Sequence, residues 1–438
     1  MDKGFRLIIL TMLVAQSFAP KAQDSIRLSL GDVFRITDSA SKKLKLDAIN
    51  ISAAETQMAI TKNQQLPDVD FAFAGGYLTD VGVIGLGNIK SGFYSMPHIT
   101  NSFVLQASYL VFSGGRVKDD IGIVKIQRQI AGFNLEKDKQ EIKLVLTGYY
   151  LDLYRLMLQR KVYQQNIDQA LLMLEKINNR LVAGIALKSD KIRSELMLED
   201  MKLQLLRVNN NILIINNALL ETLSLPTNLI IIPVIEKVEN PGNLLPWGGL
   251  TENALQHEPS IKISGLNIQT AEKKLKQVKA SYLPEVSLYF NNGLVRPYVY
   301  DIPAKDIYAN NLNIGVRVNY SISRLYKNKA RMQLAKTETD VARQQDELVK
   351  ENIRKLIFNA YTRSKEASEQ LSSENKKVEL ATENYRRIAN TYNQQLVLIT
   401  DMTDASIQKL DAELRLSTAK IVIMMRYYEL KKATGQLN

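Results

Sequence analysis

From residue 309 to 320 the chain alternates strictly. Leu312, Ile314, Val316, Val318 and Tyr320 are separated by Asn311, Asn313, Gly315, Arg317 and Asn319. A period of two puts apolar side chains on one face of a strand and polar ones on the other. The same pattern recurs in Phe103, Leu105, Ala107, Tyr109 and Val111, set against Ser102, Gln106 and Ser108. Val69, Phe71, Phe73 and Tyr77 begin a third such stretch, and Val286, Leu288 and Phe290 a fourth. The pattern thus predicts four strands in two pairs. Loops rich in Gly, Pro and Asn over 80–100 and 291–308 join the members of each pair.

Between the pairs the period changes. Residues 117–182 and 325–394 hold no proline, and each predicts one very long helix. A helix of about 65 residues would be ~100 Å long. Short breaks follow, over 183–189 and 394–400, and each leads into a second helix, 190–224 and 401–434. These are helical hairpins. Leu371, Val378, Ala381, Tyr385, Ile388 and Tyr392 keep 3-4 spacing, with Glu374 the polar member. On the return, Ile407, Leu410, Leu414, Ile421, Met424 and Tyr428 do the same, with Ser417 in the gap. Such seams imply helices packed side by side over a long distance.

The plan occurs twice. Residues 50–69 and 267–286 align without a gap at an offset of 217, with eight of twenty positions identical. The matches include Glu55 with Glu272, Lys62 with Lys279, and the Leu-Pro steps Leu66-Pro67 and Leu283-Pro284. Proline disfavours the helical conformation in the residue before it, so each helix should end there and the chain turn extended. The domain organisation that follows is 1–22 as an export signal, 23–225 as a first copy and 226–250 as a Pro-bearing linker with the only Trp, Trp247. Residues 251–438 form a second copy. The signal rests on Lys3 and Arg6, the apolar run Leu7 to Ala15 broken only by Thr11, and the small residues Ser17, Ala19 and Ala22.

Composition narrows the choices. Of the 438 residues 45% are hydrophobic and 23% charged, which is the balance of a folded chain. There is no cysteine, which removes disulfides, thiol chemistry and Cys-type metal sites. The net charge is +12, yet basic residues are interleaved with acids along the helices and form no block of five. A solvated helix surface explains that better than nucleic acid. His98 and His257 are the only histidines, and neither has a motif around it. No enzyme, cofactor or metal site is expected. No later segment is apolar over the ~18 residues a membrane helix needs, so a membrane could be crossed only by the strands.

Strands of 10–12 residues are long enough to cross a bilayer when tilted. A barrel in lipid must close, and closure takes about eight strands or more. One chain supplies four. Two or three copies would then share one barrel. A small sheet in a water-soluble body is the other reading of the strands alone.

The order of helix, Leu-Pro step, strand pair and long hairpin, twice over, resembles the TolC-like outer-membrane efflux proteins. Phe112-Ser113-Gly114-Gly115-Arg116 is similar to that family's Phe-x-Gly-Gly-Arg step from strand to helix, and Ser323-Arg324-Leu325-Tyr326 stands in the corresponding place. The resemblance implies a mainly α fold with β: helical hairpins in an α-barrel, plus four strands of a trimeric twelve-stranded membrane barrel. It implies a homotrimer in the cell outer membrane, reaching into the periplasm. That trimer would be an exit duct for small molecules or proteins, working with a periplasmic adaptor and an inner-membrane pump. A periplasmic adaptor is the competing class, but it should carry one hairpin between compact β domains.

The resemblance also assigns residues. The hairpin turns Gly184, Ile185, Ala186 and Leu187, and Gln395, Leu396, Val397 and Leu398, would dock the adaptor. Gln395 stands where the family has glycine, and Val397 where it has an arginine. Asp401 and Asp404 would face the pore at its periplasmic end, although an Asp in that first turn also caps a helix and complements its dipole. Tyr392 and Asp190 would form a closing hydrogen bond. The asparagines 209–211 and 216–217 are odd insertions in a helix and could line water inside a tube.

Overall fold

The computed structural model describes residues 25–85, 91–235, 247–301 and 304–437. The expected export signal, 1–22, and residues 236–246 of the expected linker lie outside these. Element order is β1 (Ser25–Leu28), α1 (Leu30–Ala40), α2 (Lys42–Lys62), β2 (Asp68–Tyr77), β3 (Val81–Val83), β4 (Gly92–Tyr94) and β5 (Ile99–Phe112). Then come α3 (Arg116–Val182), α4 (Lys188–Leu223), β6 (Ile230–Pro233), α5 (Trp247–His257) and α6 (Pro259–Ala280). The chain ends with β7 (Glu285–Arg296), β8 (Ala309–Asn319), α7 (Arg324–Asn393) and α8 (Ile399–Ala433). The four long helices begin and end within two residues of their predicted limits. None of the described helices is long and apolar enough to cross a membrane. The chain divides into two compact units, and both α3 and α7 run through each of them.

One unit comprises 47–135 and 259–350 and holds the four main strands. They form one antiparallel sheet in the order β2-β5-β7-β8. Register aligns the apolar positions: Phe73 opposite Phe103, Phe103 opposite Leu294, Tyr109 opposite Leu288, and Leu288 opposite Val316. The resulting apolar face is uncovered; Phe71, Phe73, Ile314 and Val318 are all more than half exposed. The opposite face carries Asp70, Gln106, Ser108, Tyr289, Asn291, Asn313 and Arg317 around a hollow.

Three details differ from the expectation. A bulge between Leu110 and Phe112 makes Val111 the extra residue, so Phe112 pairs with Val286 instead. Asn291, Asn292 and Gly293 do not begin a loop. They sit in the ladder between β5 and β8, because strands on both sides pair with their backbone. The loop expected over 80–100 contains the small hairpin β3–β4.

The Leu-Pro steps behave alike. The amide of Leu66 reaches Asn63 O, and that of Leu283 reaches Ala280 O, both at 2.9 Å, before a strand begins two residues on. The matched glutamates also carry one contact twice. Glu55 Oε1 pairs with Arg128 Nη2 at 2.9 Å, and Glu272 Oε1 with Arg343 Nη2 at 3.2 Å. At such exposure each ion pair adds at most ~1 kcal/mol. Their value is as a signature: the later helix of each copy meets the earlier one at the same place.

The other unit comprises residues up to 46, 136–258 and 351 onward. Its core packs Leu146, Tyr150, Leu153, Leu219, Leu220, Leu223, Ile231 and Ile423, all nearly inaccessible. Here β1 pairs in parallel with β6 across about two hundred residues of chain. The pair is held at two points. The Tyr150 hydroxyl sits 2.8 Å from Leu28 O and 2.9 Å from Val234 O. Asn216, also buried, donates to Leu229 O and accepts from Ile231 N, each at 2.8 Å. Asn216 therefore does not line water; its amide replaces a missing neighbour strand for β6.

Burial pushes the Tyr150 hydroxyl up to about 12. An unfolded tyrosine ionises near 10. The folded form therefore keeps its proton while the unfolded form loses it, and stability falls as pH rises from about 10 to 12. Tyr150→Phe is expected to cost ~1 kcal/mol at neutral pH, because the one hydroxyl proton shared between Leu28 O and Val234 O is lost, while Leu28 O keeps the amide of Val234 at 3.0 Å. It should also flatten the alkaline limb over that window. Thermal unfolding as a function of pH measures both, and an unchanged alkaline limb would refute the assignment.

Candidate gate and docking site at the helical turns

The two hairpin turns are the same structure built twice. Helix α3 stops at Gly184, which has φ +74°. The amide of Gly184 reaches Leu181 O at 3.0 Å, and that of Ile185 reaches Arg180 O at 2.9 Å. Helix α7 stops at Gln395 with φ +66°. There Gln395 N reaches Tyr392 O at 3.0 Å, and Leu396 N reaches Thr391 O at 3.1 Å. These are Schellman closures, in which a left-handed residue lets the chain satisfy the last helical carbonyls. The missing glycine thus changes the strain and leaves the geometry unchanged. A non-glycine residue in that conformation costs ~1–2 kcal/mol. Gln395→Gly is accordingly expected to stabilise by about 1 kcal/mol, read as a rise in the thermal midpoint. A fall would mean that the Gln395 side chain has a partner worth more than the strain.

Each return helix starts with the same cap. Asp190 Oδ2 accepts from Leu187 N at 3.2 Å, and Asp401 Oδ2 from Leu398 N at 3.1 Å. Between stop and start, each turn presents two exposed aliphatic side chains around a half-buried one. These are Ile185 and Leu187 about Ala186, and Leu396 and Leu398 about Val397.

Both turns line one cleft of ≈ 410 Å³, together with Arg180, Asp190, Arg193 and Tyr392. Behind it Met173, Ile177, Ile399 and Met402 form a buried cluster against which Tyr385, Ile388 and Tyr392 pack. The expected hydrogen bond from Tyr392 to Asp190 is not formed; Asp190 Oδ2 accepts from Leu187 N instead. Arg180 takes the central place instead. Its guanidinium lies over the Tyr392 ring at 5.0 Å, while Nη1 donates to Tyr392 O at 3.4 Å and Nη2 to Asn393 O at 3.3 Å. It thereby satisfies carbonyls at the negative end of α7, where a cation is favoured. Burial pushes the Tyr392 hydroxyl above its ordinary pKa; Arg180 opposes the rise and Asp190 adds to it.

An arginine at the turn is thus present, but it comes from the first hairpin and not from position 397. The available signal was a basic residue in the last turn of α3, four before Gly184. Asp401 and Asp404 are both exposed and differ in their contacts. The first is the cap. The second is exposed on an adjoining hollow of ≈ 380 Å³ with Arg193, Asp200 and Gln204, and no ion pair holds it among the described residues. His98 Nδ1 lies 2.9 Å from Leu78 O, across the ends of β2 and β5, and His257 Nδ1 2.9 Å from Asn253 O, within α5. Among the described residues no group of three His, Cys, Asp or Glu could hold a metal ion.

Residues 250–436 match the model of the family described as outer membrane efflux protein. No curated protein matches the chain. Among solved structures the chain is similar to the outer-membrane channel OprN, with a TM-score of 0.78 at 16% identity over 93% of this chain and 89% of that one. It is similar to the outer membrane protein VceC from Vibrio cholerae, with a TM-score of 0.76 at 14% identity over 93% and 96%. It is also similar to CusC, whose structures concern folding and transmembrane channel formation, with a TM-score of 0.79 at 14% identity over 96% and 95%. At these identities the likeness establishes the fold.

Proposed function

We infer that the protein, which over residues 250–436 belongs to the outer membrane efflux protein family and shares that fold along nearly its whole length, is an exit duct in the outer membrane. The observation that carries this reading is the sheet. Four strands long enough to cross a bilayer turn an uncovered apolar face outward, and β2 and β8 each keep one unpaired edge. In lipid every unpaired backbone group costs several kcal/mol. The edges must meet other edges, and three copies close a barrel of twelve strands. An adaptor would carry one hairpin; this chain carries two.

On this reading residues 1–22 export the chain, 23–225 and 251–438 are two copies of one wall element, and 226–250 joins them. The duct passes small molecules or proteins, and an inner-membrane pump selects them. The aliphatic pairs at the two turns receive a periplasmic adaptor. The cleft between the turns is the gate, with Arg180 and Tyr392 as its latch and Asp404 contributing negative charge beside it. The test is extraction of the outer-membrane fraction with mild detergent, followed by mass measurement of the intact assembly. A trimer is expected. A water-soluble monomer in the periplasmic fraction would refute the duct.

A further inference from the structure

The four strands of the main sheet carry five charged residues: Asp68, Asp70, Glu285, Arg296 and Arg317. Two have partners within the chain. Glu285 lies 3.9 Å from Arg116, and Arg296 binds Asp306 at 2.7 Å. Asp68, Asp70 and Arg317 have no ion pair among the described residues. These three are exposed, and they stand on the two strands that have a free edge. All three project from the polar face. Asp68 and Asp70 align with Ser108 and Gln106, and Arg317 with Ser287. They also share one end of the sheet, since the aspartates are the first and third residues of β2 and Arg317 is two from the end of β8.

Arg317 is held in readiness. Gly315 leaves room for the Tyr289 side chain to lie across β8; a Cβ there would come within 2.8 Å of the Tyr289 hydroxyl. The Arg317 guanidinium in turn rests on that ring at 5.1 Å. A cation is thus supported at one edge of the sheet, and two carboxylates at the other.

We propose that Arg317 of one copy pairs with Asp70 of the next, Asp68 lying beside it, and that this contact selects the register in which neighbouring sheets join. The occupant of each edge is a second copy of the same chain. Antiparallel joining of β8 to β2 brings the end of one beside the start of the other, so opposite charges meet at every joint around the ring.

The need for such a contact follows from the period of the strands. A slip of one residue between copies turns apolar groups into the lumen, and the alternating pattern forbids it. A slip of two keeps every apolar group outward, and the pattern cannot reject it. Only particular cross-strand pairs distinguish the two, and opposite charges are the pairs that favour one register. An exposed ion pair adds little stability. Its role here is choice between registers that are otherwise alike.

This proposal rests on the duct reading, and the test separates them. The natural chain has no cysteine, so introduced thiols are the only ones. Asp70→Cys and Arg317→Cys are combined in one chain, treated in membranes with a short bifunctional thiol reagent, and run on a denaturing gel. Bands at two and three chain masses are expected. The combination of Asp70→Cys with Asn313→Cys, four residues along β8, should give at least tenfold less. Separately, Arg317→Asp or Asp70→Arg alone should lower the yield of trimer, and the two together should restore it. If the mass in mild detergent is that of a trimer but the 70–313 pair links as well as the 70–317 pair, the register proposal is overturned and the duct stands. If the double exchange fails to restore trimer while either single change abolishes it, the pairing is likewise overturned. If no oligomer forms in the unaltered chain, the duct reading fails and takes this proposal with it.

Discussion

Arg180→Ala is expected to raise conductance in planar bilayers several-fold, by moving the duct from a mostly closed to a mostly open population. Arg180 makes two hydrogen bonds, to Tyr392 O and Asn393 O, and rests on the Tyr392 ring. A hydrogen bond from a charged donor contributes ~1.5–3 kcal/mol. At 3.3 and 3.4 Å these two stand at the weak end, and solvent reduces them further. A figure of ~1.5–2 kcal/mol per copy is therefore reasonable. Three copies acting together give ~5 kcal/mol, close to the ~5.5 kcal/mol that carries a two-state equilibrium from 99:1 to 1:99. Arg180→Lys should fall between the two, because an ammonium has no fork for two carbonyls and no flat face for the ring. Tyr392→Phe should change little, since the Tyr392 hydroxyl makes no bond to Asp190. Asp190→Ala should cost the ~1 kcal/mol of a lost helix cap. A duct whose conductance is unaffected by Arg180→Ala has its gate elsewhere.

What could be read from the sequence was whatever repeats with a short period. The strand pattern gave the apolar face of the sheet because alternation is local, and the limits of α3 and α7 followed from the absence of breakers. The Leu-Pro steps and the matched Glu55 and Glu272 predicted two copies of one helix-to-strand plan. The structure adds that both glutamates bind an arginine on the next helix. The interleaved charge proved to be largely short-range pairing on helix surfaces. Glu383, for example, is held down to about 2 by Arg386 and Arg387 within one turn.

The features that escaped depend on partners distant in sequence. β1 and β6 are only four residues each and pair across the whole first copy. No periodicity can announce a strand that short. Asn216 looked like a water-lining residue because a helix gives an asparagine no local task; its task is the backbone of β6. Arg180 has no local signature because the family pattern points to a cation at position 397, in the second turn, whereas the one present comes from the helix before the first turn. The bulge at Val111 shifted one position of an otherwise correct alternation, and nothing in the residue types marks it.

Gly114→Ala is expected to reduce assembled protein in the outer membrane to a small fraction of the unaltered level. Phe112-Ser113-Gly114-Gly115-Arg116 carries the chain from β5 into α3, and both glycines have positive φ, +64° and +89°. A side chain at either position therefore costs ~1–2 kcal/mol in backbone strain. Their surroundings differ. A Cβ on Gly114 would stand 2.9 Å from Ala280 O and 3.2 Å from Ala280 Cα, backbone atoms at the end of α6 that cannot turn aside. It would also stand 3.0 Å from Leu283 Cδ1, at the Leu-Pro step. A Cβ on Gly115 would meet nothing within 4 Å. Overpacking of that kind adds ~1–3 kcal/mol, so Gly114→Ala should cost about 4 kcal/mol and Gly115→Ala about half that. The corresponding turn of the second copy, Ser321 to Arg324, has no residue at positive φ, so the need for glycine belongs to the first copy alone. Four kcal/mol is a large part of the 5–15 kcal/mol that holds a typical domain together, and it falls where the first strand pair joins its helix. The measurement is the amount of trimer resistant to mild detergent in outer-membrane fractions of the two variants grown side by side. Equal yields from Gly114→Ala and Gly115→Ala would show that the close approach to Ala280 is not what the first glycine is for, leaving backbone strain as its whole explanation.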